Sequence, residues 1–167
     1  MRLEWIEQYM TQAEQLIYNN NVEGGLELLN SLLYEEPGYG RLHNHLGWAY
    51  TYYTQDAARA ELHLRMAIKF YPEYPAPYVH MGQLLIRLGR YNEAIEFLNT
   101  GLTKPECNQF TFLELLGRAY ELKAEFRNAI GVYRRAMVAS MADHELATLT
   151  QGIKRCRRKR WALFFSF

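Results

Sequence analysis

Nowhere in this sequence do the roughly 20 apolar residues of a membrane-spanning helix run together. Cysteine is almost missing: Cys107 and Cys156 stand apart, with no CxxC spacing. Two are too few for a disulfide framework, so a reducing compartment, the cytoplasm, is expected. The opening MRLEWIEQYM carries glutamates where a secretory signal would keep an unbroken apolar run. The phosphate-cradling GxxxxGK[ST] and GxGxxG, the zinc-binding HExxH and the nucleophile elbow GxSxG are all absent. Ser31, Ser140 and Ser166 have no histidine and acid at a suggestive spacing. The expectation is therefore a chain that is not an enzyme and uses neither cofactor nor metal. His43 and His45 do not alter it, because two residues apart on a helix point about 200° apart and cannot chelate from one face.

Acids are missing beyond Glu145, whereas six of the seven residues from Lys154 to Arg160 are basic. Away from that cluster 13 Lys and Arg face 18 Asp and Glu, so a −5 body precedes a +6 tail. A body of that sign is a poor nucleic-acid surface, since phosphate binding needs a distributed basic face. What remains is an ordinary globular balance, 49% apolar and 22% charged, long enough for one domain with a real core.

The chain repeats itself. Four segments superimpose, starting at Tyr9, His43, Tyr78 and Leu113. Small residues recur at Ala13, Gly47, Gly82 and Gly117, spaced 34, 35 and 35 residues apart, with a second series at Gly25, Ala60, Ala94 and Ala129. Pro37, Pro72 and Pro105 recur, and the fourth copy lacks the equivalent. Each copy reads as two amphipathic helices around a short turn. In the third, Met81, Leu84, Leu85 and Leu88 form one stripe, and Tyr91, Ile95, Leu98 and Leu102 another, with Gly89-Arg90 as the breaker. Small residues at fixed places let two helix backbones approach, and the prolines stop each second helix because they lack the N–H that would continue it.

This pattern resembles the tetratricopeptide repeat (TPR) family. The third copy matches at Tyr78, Met81, Gly82, Leu85, Gly89, Tyr91, Ala94, Leu98 and Pro105. The fourth matches at Leu116, Gly117, Tyr120, Phe126, Ala129, Tyr133 and Ala136, and the second at Leu46, Gly47, Tyr50, Ala60, Leu64, Ala67 and Pro72. The first is degenerate, with Ala13 for glycine and Gly25 for alanine. The resemblance implies an all-α fold, a right-handed α-α superhelix of antiparallel helix pairs. Its repeats would fall at about 3–38, 39–73, 74–108 and 109–142, followed by a capping helix over 143–167 with Asp143 as N-cap.

The resemblance also implies a non-enzymatic interaction module, an adaptor or chaperone-like, whose first helices line a groove for a peptide or partner protein. By motif register that groove holds Met10, Glu14, Ile17 and Tyr18 from the first copy, and Asn44, His45, Trp48 and Tyr52 from the second. Val79, His80, Gln83 and Arg87 follow from the third, and Glu114, Arg118 and Glu121 from the fourth. Trp48 is the expected anchor. His45 and His80 hold equivalent places on successive first helices, where the fourth copy has Leu115. The Lys-and-Asn clamp with which one TPR subclass grips chaperone C-termini is incomplete, because the first-copy groove residues include no cation. Two alternative readings use Lys154, Arg155, Arg157, Arg158, Lys159, Arg160, Trp161, Phe164 and Phe165. One is self-association into a homo-oligomer, driven by the opposite charges of body and tail. The other is peripheral membrane or nucleic-acid contact.

Overall fold

The computed structural model describes the backbone of residues 2–164 and the side chains of 4–163. These residues form helices and connecting turns only. In chain order the helices are α1 (Arg2–Tyr18), α2 (Val22–Glu35), α3 (Gly40–Tyr53), α4 (Ala57–Phe70), α5 (Ala76–Arg87), α6 (Tyr91–Leu102), α7 (Gln109–Leu122), α8 (Phe126–Ala139) and α9 (Asp143–Phe164). The chain divides into two compact units, Met1–His80 and Met81–Phe167, and the boundary falls within α5.

The hairpin turns follow from local chemistry. Asn20, Gly89 and Ala124 adopt left-handed φ values of 65°, 74° and 64° at the same point of three hairpins. The second and third N–H groups after each helix turn back in the same way every time. Asn20 donates to the Ile17 carbonyl and Asn21 to that of Leu16; Gly89 donates to Ile86 and Arg90 to Leu85; Ala124 donates to Glu121 and Glu125 to Tyr120. This is the Schellman arrangement, which satisfies carbonyls that a helix end leaves open. The α3–α4 turn is built differently. There the Thr54 hydroxyl accepts from the Asp56 N–H at 3.1 Å, and the Asp56 carboxylate caps α4 by accepting from the Arg59 N–H at 2.9 Å.

Within each unit the small residues act as notches. A methyl at Gly47 would lie 2.6 Å from the Leu64 side chain, and one at Gly82 2.5 Å from Leu98. A methyl at Gly117 would overlap the Tyr133 ring. In the first hairpin the crowded position moves to the second helix: a methyl at Gly25 would meet Ile17 at 2.5 Å and the Ala13 carbonyl at 2.8 Å. The exchange of glycine and alanine that makes this copy look degenerate therefore preserves the close approach from the other side.

The core of unit 1 is Ile6, Met10, Ala13, Ile17, Leu29, Leu42, Leu46 and Leu64, all at most 1% exposed. In unit 2, Leu98, Phe112, Leu116, Ala129 and Ala136 play that part, and α9 adds Leu149, Ile153 and Cys156. Gly152 lies 35 residues beyond Gly117, and a methyl there would come within 3.0 Å of the Tyr133 ring. Tyr133 is thus held between notches on α7 and α9, and α9 takes the place of a further first helix. That 35-residue step continues the glycine series and was readable in the sequence.

Candidate functional site

In unit 1 the surface between α1 and α3 is built as successive side-chain pairs. Arg41 reaches Glu7 at 3.3 Å, His45 reaches Glu14 at 2.7 Å, and Trp48 meets Tyr18 with ring centroids 5.6 Å apart. Residues three and four apart lie on one helix face, so the α3 members Arg41, His45 and Trp48 present themselves together. The other ring nitrogen of His45 lies 2.8 Å from the Arg41 carbonyl. Both ring nitrogens of His45 thus face an oxygen acceptor. The Glu14 carboxyl is held below the usual carboxylate range, chiefly by its hydrogen bond to His45.

Beyond the Glu14–His45 pair the surface becomes aromatic. Tyr18, Trp48 and Tyr53 form a triangle with centroids 5.1–6.3 Å apart and interplanar angles of 62–80°. These are the edge-to-face contacts that ring quadrupoles favour. Tyr18 remains 67% exposed and Tyr53 37%, while Trp48 is half-buried. Beside them Tyr52, 42% exposed, packs edge-on to His80, and its hydroxyl lies 3.3 Å from the His80 Nδ1. Burial, with His45 nearby, pushes His80 down to about 4. At neutral pH the ring is uncharged and can accept the Tyr52 proton.

Other residues expected at a groove sit elsewhere. Met10 and Ile17 are core residues, each 1% exposed. Asn44 is 5% exposed, and its Oδ1 has no hydrogen-bond partner among the described residues. His43, beside it, is buried against α4. Its Nε2 donates to the Pro37 carbonyl at 2.9 Å, so its Nδ1 accepts from the His63 Nδ1–H at 3.0 Å. Phe70 stacks on His43 and Tyr50 on His63. Burial lowers both imidazoles, His63 to about 4 with added repulsion from His43 and Arg59. Nothing near His43 in the sequence announces this pair, because its partner lies across the hairpin.

In unit 2 the corresponding face is charged. Gln83 is half-buried with its Oε1 unpartnered among the described residues, Arg87 and Arg118 are exposed, and Glu114 is half-buried. Burial raises the Glu114 carboxyl, against the opposing pull of Arg118 and Arg155. Glu121 is not open to a partner, being 6% exposed. It accepts from Arg155 Nη2 at 2.9 Å and Nε at 3.1 Å, from Lys159 Nζ at 2.9 Å and from the Tyr133 hydroxyl at 3.1 Å. Burial alone would raise its carboxyl, but these hydrogen bonds together bring it down to about 2.

The same contacts divide the tail. Arg155 and Lys159, one turn apart, stay half exposed but reach inward to pair with buried Glu121 of unit 2. Lys154, Arg157, Arg158 and Arg160 are exposed, and none forms an ion pair among the described residues. Trp161 is 56% exposed; Phe165 and the side chain of Phe164 lie outside the described residues.

Tetratricopeptide-repeat signatures match residues 53–104 and 113–145, together just over half the chain. The chain belongs to the tetratricopeptide repeat family. Solved structures agree on the fold. The Pseudomonas aeruginosa pilF structure superimposes with a TM-score of 0.84 at 15% identity, over 96% of this chain and 71% of that one. MamA from Desulfovibrio magneticus RS-1, residues 41 to the end, gives 0.79 at 18% identity over 92% and 84%. TTC0263, a thermophilic TPR protein of Thermus thermophilus, gives 0.72 at 17% identity over 87% and 79%. No curated protein matches significantly in sequence. This TPR chain is accordingly an all-α repeat protein of a family that serves as a protein–protein interaction scaffold, and identities of 15–18% speak to its fold alone.

Proposed function

We propose that this TPR chain is a non-enzymatic adaptor or chaperone-like scaffold that holds a peptide, or an extended segment of a partner protein, against Tyr18, Trp48, Tyr52 and Tyr53. The observation that carries the reading is the aromatic triangle on α1 and α3, with Tyr18 largely exposed at its edge. Tryptophan and tyrosine dominate binding hot spots because they bury much area while losing few rotamers. Here their mutual contacts hold the rings in place before a ligand arrives, which lowers the ordering cost of binding. The Glu14–His45 pair and neutral His80 border the rings with polar groups that can fix a ligand's register. The proposed location is the cytoplasm, in keeping with two free cysteines, of which Cys156 is buried and its thiol pushed up to about 11 by that burial.

Selection of phage-displayed peptides on the full chain tests this reading. Selected peptides should lose affinity at least tenfold on Trp48→Ala, about 1.4 kcal/mol of hot-spot energy. They should be unaffected by Arg118→Ala, with circular dichroism confirming the fold of both variants. Peptides that bind Trp48→Ala as well as the parent chain would refute the site.

A further inference from the structure

We infer that α9 carries a second, independent docking surface, and that its occupant is an anionic lipid bilayer. The fold splits the basic cluster in two. Arg155 and Lys159 are consumed by Glu121, whereas Lys154, Arg157 and Arg158 stand at the i, i+3 and i+4 positions of one outward stripe, all exposed. One further turn along that stripe, at i+7, stands Trp161, 56% exposed. An α-helix brings these four positions to one face, and the buried residues Leu149, Ile153 and Cys156 anchor the other face to unit 2. The Glu121 contacts fix the rotation of α9 about its axis, so the stripe is turned outward by the fold itself.

No carboxylate among the described residues pairs with Lys154, Arg157 or Arg158. Clustered cations on an amphipathic helix followed by an aromatic residue match the chemistry of an anionic membrane interface, where the cations meet lipid phosphates and the indole lies at headgroup depth. The sequence favours lipid over a polynucleotide. Trp161 to Phe167 holds five large apolar side chains and no charge, which suits an interface with hydrocarbon beneath it and finds no counterpart in the phosphate backbone of a duplex. Elsewhere in the chain acids exceed bases, 18 to 13, so an anionic surface repels the rest of the chain. That imbalance orients the molecule with α9 toward the bilayer. Leu163 and Arg160 border a cleft of about 410 Å³ beside Phe126 and Asn128, on a different side of α9 from the stripe.

Flotation of the full chain with vesicles tests the proposal. Phosphatidylcholine vesicles containing phosphatidylserine should carry the protein upward, pure phosphatidylcholine vesicles should not, and high salt should release it. Each cation near an anionic surface is worth about fivefold in partitioning, so Lys154→Gln/Arg157→Gln/Arg158→Gln should weaken binding on the order of 100-fold. Trp161→Ala should weaken it further. Thermal melts must show all variants folded, and Arg118→Gln, which removes an exposed cation of α7 and leaves the α9 stripe intact, should bind like the parent. Failure to float with anionic vesicles, equal flotation with neutral ones, or indifference to the triple substitution would overturn the proposal. So would binding to a duplex oligonucleotide, or self-association seen by light scattering, that depends on the same three cations in the absence of vesicle binding.

Discussion

Units 1 and 2 are built on the same hairpin, and they spend their polar side chains in different ways. In residues 1–80 the face of α1 and α3 offers rings with the neutral imidazole of His80 beside them, and on its other side α3 meets α4 through a second pair of neutral imidazoles, His43 and His63. In residues 81–167 the face of α7 offers Glu114 and Arg118, and the buried polar group is an ionised carboxylate, Glu121, ringed by Arg155, Lys159 and the Tyr133 hydroxyl. Both arrangements surround an identical packing device, a glycine on the first helix filled by a side chain from the second: Leu64 in unit 1, Leu98 and Tyr133 in unit 2. The residues that make the fold and the residues that decide what its surface can hold are therefore different sets, interleaved on the same helices.

The largest expected effect separates the two kinds of knob. Tyr133 fills two notches and also donates to Glu121, so Tyr133→Ala should cost about 3–5 kcal/mol and loosen α9. Tyr133→Phe keeps the ring and loses one hydrogen bond to a charged group, so it should cost less, about 1.5–3 kcal/mol. Chemical denaturation of both variants would show the contrast; equal losses would mean that the hydroxyl, and not the wedge, secures α9.

Acid should part the units next. In unit 1 the depressed imidazoles are neutral in the fold, while the unfolded chain takes up protons near 6.5. Their stabilising contribution is thus complete above about 6.5 and is lost as pH falls toward about 4, on the order of 3 kcal/mol for His63. In unit 2 the depressed Glu121 contributes above about 4.5 and loses that contribution only as pH falls toward about 2. Amide exchange, corrected for intrinsic rates, should therefore accelerate in α3 and α4 between pH 6.5 and 4.5 while α7 and α9 stay protected. The reverse order would break the comparison.

The smallest effect concerns the turns. Ala124 holds the left-handed position that Gly89 occupies in the preceding hairpin. Ala124→Gly should raise stability by about 0.5–1 kcal/mol, and Gly89→Ala should lower it by a similar amount. Melting temperatures would read both signs.

Much of the fold was legible because it rests on local, periodic signals. The 34- to 35-residue step from Ala13 to Gly117 marks the notches, and the Gly89 breaker falls in a hairpin turn. The same step carries on to Gly152, so the place of α9 could also have been read. The surface was less legible, because side-chain partners are set by distance in space. Register placed Met10 and Ile17 on a groove, yet the helix-to-helix crossing buries both. Register also left Glu121 open, because its partners Arg155 and Lys159 come from a helix that begins more than twenty residues later. The aromatic surface was largely visible: register placed Tyr18, Trp48 and Tyr52 on it, whereas Tyr53 joins them through its ring contact with Trp48 at the end of α3.

If the rings of unit 1 take the ligand, the indoles of the chain should report it directly. Trp5, Trp48 and Trp161 provide three indole N–H groups in distinct places, so a proton–nitrogen NMR titration with a selected peptide is the most direct test. The Trp48 indole signal should shift on binding, with Trp161 unmoved, and the Tyr18→Ala variant should blunt the response. Saturable binding that shifts Trp161 or the backbone of α7, with Trp48 unchanged, would contradict a ligand site on those rings.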